Sequence, residues 1–362
     1  MSQIDTEVVV VDAVCPEAAK VERAAALIRA GEVVVFPTET VYGLGANALQ
    51  PRAVERIFAA KGRPFSDPLI VHIADEDALR DLASSLPEHV QELTRAFWPG
   101  PLTLIVPRGR LVPALVTAGL ETVAVRMPRH AVALALIRAA GSPIAAPSAN
   151  RFMHISPTTA QHAFADLNGR VPLILDSGPC EVGVESTVLD LCAAVPTILR
   201  PGGVSLEELR TALPDVQLAT RQTRHAATPG DVHDEKGAQK APGQLFAHYA
   251  PAVPLFLFVG SVESMRGAML AEVRRRRENG ELVGVLVADE DVPVFQGSGA
   301  LAQSLGNASA PGQVAAVLFA SLRDLEATGV QVILCRDFDE RGLGLAVHDR
   351  LLRAAGRVIE VS

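Results

Sequence analysis

The chain has 362 residues, 49% of them hydrophobic and 20% charged, with a mean hydropathy of +0.25. It is too long for one ordinary core and too apolar for a disordered chain, so two or three domains are expected, at about 100–200 residues each. Lys and Arg number 33 and Asp and Glu 41, for a net charge of −8, which excludes a polycationic coat for nucleic acid but leaves room for a local basic pocket.

Apolar periodicity predicts a helix over 18–30, with Val21, Ala24, Leu27 and Ile28 on one face and Gly31 as the stop. A β-branched run at 32–36, ended by Pro37, reads as a strand. A short helix at 52–60 and a buried strand at 69–73 follow. Further strands are expected at 102–106, 123–126, 144–146 and 173–176, with helices at 88–97, 131–140 and 159–165. The pattern leaves parallel and antiparallel pairing open. The character changes near Pro201. After a short helix at 206–213, residues 215–243 hold almost no large apolar side chains and read as a linker. A second alternating block has strands at 255–259, 282–288 and 330–334 and helices at 262–277, 313–327 and 346–355. It predicts a small α/β domain with a largely parallel sheet.

Cys15, Cys180, Cys192 and Cys335 form no C-x-x-C pair, so neither a zinc site nor a disulfide framework is expected. Residues 1–7 lack the Lys and Arg that begin a signal peptide. The longest charge-free stretch, 292–322, is broken by polar residues, Gly and Pro, and cannot supply an apolar span of ~20 residues. A soluble, cytoplasmic protein is the expectation.

Four segments concentrate chemistry. Residues 36–45 (FPTETVYGLG) follow a buried strand and place hydroxyls, a carboxylate and a phenol on a loop closed by glycines. Sites are built on such loops, although a glycine-rich turn can be only a turn. Lys61-Gly62-Arg63-Pro64 ends a helix. Its two cations can face one anion, with Arg as a planar fork; for a lone pair, a polar helix end is the simpler reading. His72 stands between Val71 and Ile73, where a satisfied core histidine is the plainer alternative. Residues 145–150 (AAPSAN) offer Ser148 and Asn150 beyond an apolar strand, a pattern equally suited to a cap or turn. Ser156-Pro157-Thr158 reads as the cap of the next helix. Residues 184–190 (VESTVLD) bring Ser186, while Arg126-Met127-Pro128 and Arg200-Pro201-Gly202 each pin an arginine at a strand end. No Walker A, G-x-G-x-x-G or H-E-x-x-H occurs at these segments. Four cations with many hydroxyls and no Ser–His–Asp pattern suit binding a polyphosphate better than nucleophilic catalysis by a side chain.

In order, FPTETVYGLG, KGRP, PLIVHI, FWPGPLT, VRMP, IAAPSAN, HISPTT, GVESTVLD and ILRPG closely resemble the YrdC-like family, in the long two-domain form that makes threonylcarbamoyl-AMP. The likeness covers residues 20–205 and continues in PGQLFAHYAP at 242–251, GLGLA at 342–346 and DRL at 349–351. It implies a YrdC-like twisted α/β catalytic domain with a concave basic cavity over 1–205. A linker over 206–252 would cover the active site, and 253–362 would form a smaller Rossmann-like α/β domain.

The resemblance also implies a nucleotidyltransferase that forms threonylcarbamoyl-adenylate and pyrophosphate from L-threonine, bicarbonate (or CO2) and ATP, with Mg²⁺. The product would serve threonylcarbamoyladenosine formation beside the anticodon of tRNA. Further partners would be tRNA or the downstream threonylcarbamoyl-transfer complex. Carried over motif by motif, Thr40, His72, Arg126 and Ser186 would hold threonine. Lys61, Arg63, Asp67, Thr122, Ala146, Ser148, Asn150, Ser156, Arg200 and Tyr249 would hold the nucleotide. Lys61 and Arg63 would also neutralise charge during reaction, and Tyr249 or His248 would close the site. No residues are assigned to the metal.

The sequence departs from the family's habit in three places: Asp67 stands for Asn, Arg151-Phe152-Met153 for small residues, and Ser177 for Gly. Two other readings compete. One is an RNA-binding module of the same fold without ATP turnover, which the acidic balance disfavours. The other is a carbamoyl-transfer domain for another acceptor, disfavoured by the lack of zinc-finger and acylphosphatase-like segments.

Overall fold

Alternating side chains of one short strand face two different cores, and this sets the first domain's layering. In Val34–Phe36, Val35 joins the core built on the helix Pro51–Lys61, while Val34 and Phe36 join the core built on Ala18–Arg29 and Ala131–Ala140. A strand covered on both faces reads as a continuous apolar run, which is how the sequence spells it.

The computed structural model describes residues 4–219 and 249–362. Residues 242–248 of the linker motif, His248 included, lie outside the described residues. The first domain's strands are β1 (Glu7–Val10), β2 (Val34–Phe36), β3 (Gly43–Asn47), β4 (Ile70–His72), β5 (Leu102–Pro107), β6 (Thr122–Arg126), β7 (Ile144–Ala145), β8 (Leu173–Asp176), β9 (Thr187–Asp190), β10 (Thr197–Arg200) and β11 (Gln217–Leu218). They form one mixed sheet in the order β1-β8-β2-β3-β7-β4-β6-β5-β9-β10-β11. The predicted helices lie within a few residues of the observed ones at Ala18–Arg29, Pro51–Lys61, Val90–Phe97, Ala131–Ala140 and Ala160–Leu167.

Strand β3 was expected as part of a loop, because Gly43 and Gly45 are poor strand formers. The packing explains the glycines. A Cβ on Gly45 would stand 2.6 Å from the Phe36 ring and 2.7 Å from Ile144. The short helix expected at 206–213 is present as Leu206–Ala212, and β11 follows it within the stretch read as linker. Residues 206–218 bury Leu209, Leu213 and Val216 in the first core.

The second domain has β12 (Leu255–Gly260), β13 (Val283–Val287), β14 (Leu301–Ser304), β15 (Val332–Arg336) and β16 (Arg357–Val361), all parallel, in the order β14-β13-β15-β12-β16. The parallel sheet with helices on both faces is the small α/β domain expected. Its order differs from that of the dinucleotide fold, because β15 comes between β13 and β12. The helix Val262–Glu278 covers one face. Pro311–Ala327 and Gly344–Ala354 cover the other and pack against Val41, Ile155, Val184 and Tyr249. Contact there is close: Gly183, at φ 76°, has no room for a Cβ, which would lie 2.4 Å from the Ala315 carbonyl oxygen. Arg323 adds a clamp, its Nη2 donating to Asp166 Oδ2 at 2.9 Å.

Candidate active site

A cavity opens where β2, β4, β6, β7 and β10 run out. Its walls bring together Thr40, Arg63, His72, Arg126, Ala146, Ser148, Ser186, Arg200 and Tyr249, drawn from segments far apart in sequence. Thr38, Glu185 and Ile70 line it too. Lys61, Asp67, Thr122, Asn150 and Ser156 stand outside the lining.

Each arginine is held before any ligand arrives. Arg126 donates from Nη1 to Thr40 Oγ1 at 2.9 Å and from Nε to the Gly100 carbonyl at 3.2 Å, and its Nη2 lies 2.7 Å from Glu39 Oε2. That last contact is an ion pair without a well-aligned hydrogen bond, so both atoms keep bonding capacity in a buried place. Arg63 donates to the Pro68 carbonyl at 2.8 Å and lies 2.9 Å from Asp67 Oδ2. Arg200 reaches Ser186 through its carbonyl at 2.9 Å and its Oγ at 3.1 Å. Ser186 Oγ in turn meets Thr103 Oγ1 at 2.7 Å. Pre-set donors of this kind need little rearrangement when a charged group arrives.

His72 ends β4, buried, with its ring perpendicular to that of Phe36 and no well-made hydrogen bond at Nδ1. Burial first, and the Arg126 charge second, push its pKa down to about 3. The ring is therefore neutral at ordinary pH. Both Asp67 oxygens lack hydrogen bonds, and burial raises the carboxyl pKa despite Arg63, Lys61 and Arg200 nearby.

Lys61 was expected on the nucleotide phosphates. The structure places its ammonium behind the cavity wall, donating to the Ser148 carbonyl at 2.6 Å and to the Asn150 carbonyl. Burial, then the Arg63 charge, hold its pKa well below the usual range. Asn150 spends its amide on the Arg151 and His154 carbonyls, both at 2.8 Å. These two residues shape the Ser148 loop from behind. Thr122 lies at the far end of β6 from Arg126, opposite Pro107. Ser156 is not the cap expected; Thr159 caps the next helix, and Ser156 donates to Glu185 Oε1 at 2.5 Å.

Glu39, Glu185 and Arg350 escaped the sequence reading as site residues. Glu39 and Glu185 stood inside quoted motifs, and an acid set among apolar and hydroxyl-bearing residues was the available signal. Arg350 stood in the quoted DRL segment, but nothing in that segment points to its partner, since it lies in the second domain and bonds Glu185 across 165 residues of chain.

Residues 26–202 match the family model Sua5_yciO_yrdC, described as telomere recombination. Residues 204–356 match the model described as threonylcarbamoyl-AMP synthase, C-terminal domain. The threonylcarbamoyl-AMP synthase of Pyrococcus abyssi is 44% identical over 346 residues, covering 94% of this chain and 96% of that one.

The chain belongs to the threonylcarbamoyl-AMP synthase family.

A second relative of that name, from Bacillus subtilis, is 44% identical over 348 residues and covers 94% of each chain. A crystal structure of P. abyssi Sua5 complexed with L-threonine superposes with a TM-score of 0.87 at 43% identity, over 98% of this chain and 100% of that one. Threonylcarbamoyl-AMP synthesis, a nucleotidyl transfer, is thus the activity of this chain. Both domains of the synthase are present. No helix among the described residues is long and apolar enough to cross a membrane.

Proposed function

We propose that the cavity condenses L-threonine, bicarbonate (or CO2) and ATP, with Thr40, His72, Arg126 and Ser186 on threonine and Arg63, Ser148, Arg200 and Tyr249 on the nucleotide. The observation that carries this reading is the convergence of three buried guanidinium groups, Arg63, Arg126 and Arg200, on one cavity with a neutral imidazole. A bidentate guanidinium suits the threonine carboxylate and the phosphates. An uncharged His72 can bond the substrate without repelling Arg126.

The threonine amine attacks the carbon of CO2 and loses a proton, giving a carbamate. A carbamate oxygen then attacks the α-phosphorus. The bond from that phosphorus to the bridging oxygen breaks, and pyrophosphate leaves with the electron pair. No side chain need become a covalent intermediate. Holding the reactants together supplies much of the acceleration, and arginines around the phosphates stabilise developing charge. Lys61 and Asn150 serve by fixing the Ser148 loop, Ser156 by holding Glu185, and Ala146 as wall; Thr122 stands furthest from this role.

No group of three or more His, Cys, Asp or Glu among the described residues could cage a metal. The donor set fits a Mg²⁺ carried by phosphates, which usually takes one or two carboxylates. Asp67 keeps two unbonded oxygens beside Arg63 but stands outside the lining, so the phosphates would be the ion's main ligands. Bound there, the ion would offset phosphate charge. The product is an activated carbamoyl donor for tRNA modification in the cytoplasm, taken up by tRNA with a threonylcarbamoyl-transfer complex.

The deciding experiment measures pyrophosphate release from ATP with threonine or bicarbonate omitted in turn. Release should require both. Release indifferent to threonine, or salt-sensitive tRNA binding with no ATP turnover, would overturn the reading.

A further inference from the structure

Arg350 belongs to the second domain, yet its side chain ends against the first domain's cavity wall. It is 1% exposed. Its Nε donates to Glu185 Oε2 at 2.7 Å, its Nη2 to the Pro201 carbonyl at 3.0 Å and its Nη1 to Asp349 Oδ2 at 2.8 Å. The guanidinium carbon lies 5.1 Å from the centre of the Tyr249 ring. Three of these contacts lead to the site: Glu185 and Tyr249 line the cavity, and Pro201 directly follows Arg200.

Glu185 is the residue at stake. Its two oxygens are divided, one to Ser156 and one to Arg350. Burial alone would raise its pKa. The Arg350 and Arg200 charges and the bonds from Ser156 and Arg350 outweigh burial and hold it low. Without Arg350 this carboxylate becomes a poorly compensated buried anion. Arg200 is then the nearby cation acting on it.

We propose that Arg350 is a positioning residue through which the second domain prepares the nucleotide site: it holds the Glu185 carboxylate on Ser156 and keeps it from competing with ATP phosphates for Arg200. This rests on the reading that Arg200 contacts the nucleotide. The second domain thereby completes the site electrostatically, and its loss affects ATP more than threonine.

The test is steady-state pyrophosphate release by the full chain carrying Arg350→Gln. The KM for ATP should rise at least tenfold, while the KM for threonine stays within threefold. Adding Glu185→Gln to the same chain removes the stranded charge and should recover most of the ATP effect. A purely structural role for Arg350 would move both KM values together and gain nothing from the second substitution; either result overturns the proposal. Should Arg350→Gln fail to fold, Arg350→Lys keeps the charge but loses the fork. Its KM for ATP should rise threefold or more, and an unchanged value overturns the proposal. The unaltered chain separates the two claims. No threonine-dependent release from it overturns the functional reading, whereas normal release with an unshifted variant overturns only the role of Arg350.

Discussion

His72 and Arg126 are register partners on the adjacent parallel strands β4 and β6. An imidazole and a guanidinium therefore share one level of the sheet, at the edge of the cavity. Their closeness adds to burial in keeping the imidazole uncharged.

That pairing predicts a pH dependence. The unfolded His72 protonates below 6.5, whereas the folded one resists until about 3. Between those values the unfolded chain binds the extra proton. Stability is therefore complete above 6.5 and declines as pH falls through the window, by up to about 1.4 kcal/mol per pH unit. His72→Gln should flatten this slope in urea unfolding measured across the window. An identical slope in the variant would refute the assignment.

Arg126→Lys keeps the charge but cannot bond Thr40 and Gly100 while facing Glu39. The KM for threonine is expected to rise tenfold or more, with a smaller change for ATP. Kinetics with each substrate varied in turn would expose an assignment to the wrong substrate.

Lys61→Ala should damage stability as well as turnover. It strips the Ser148 and Asn150 carbonyls of their donor, at a cost of about 1–3 kcal/mol, and lets the Ser148 loop relax. Thermal melts and pyrophosphate release should fall together. A fully stable but inactive variant would instead put the ammonium on the phosphates directly.

Gly183→Ala drives a methyl group into the Ala315 carbonyl from a left-handed backbone position. Such overpacking costs about 1–3 kcal/mol, and here it loosens the contact between the domains. Limited proteolysis should cut the variant faster than the native chain. Equal rates would show that the interface yields easily at this point.

Local signals carried much of this protein into its sequence. Helix- and strand-period patterns located most elements, because burial on one or both faces imposes those periods. Arg126 and Arg200 were visible as candidates because a proline pins each at a strand end. Motif order was enough to name the family. Strand β3 was hidden because its glycines answer to Phe36 and Ile144, which no local rule connects to them.

What only the tertiary structure decided is where the charges point. Lys61 reads as a phosphate ligand from its spacing with Arg63, but packing turns its ammonium onto two carbonyls nearly ninety positions away. Glu185 and Arg350 are ordinary charged residues in their own segments, and only domain docking makes them partners. A side chain's identity is written locally, but its direction and its electrostatic company depend on which distant surfaces fold against it. That is why the sequence by itself determined the fold class and the chemistry, and only the docked domains revealed how the second one reaches into the site.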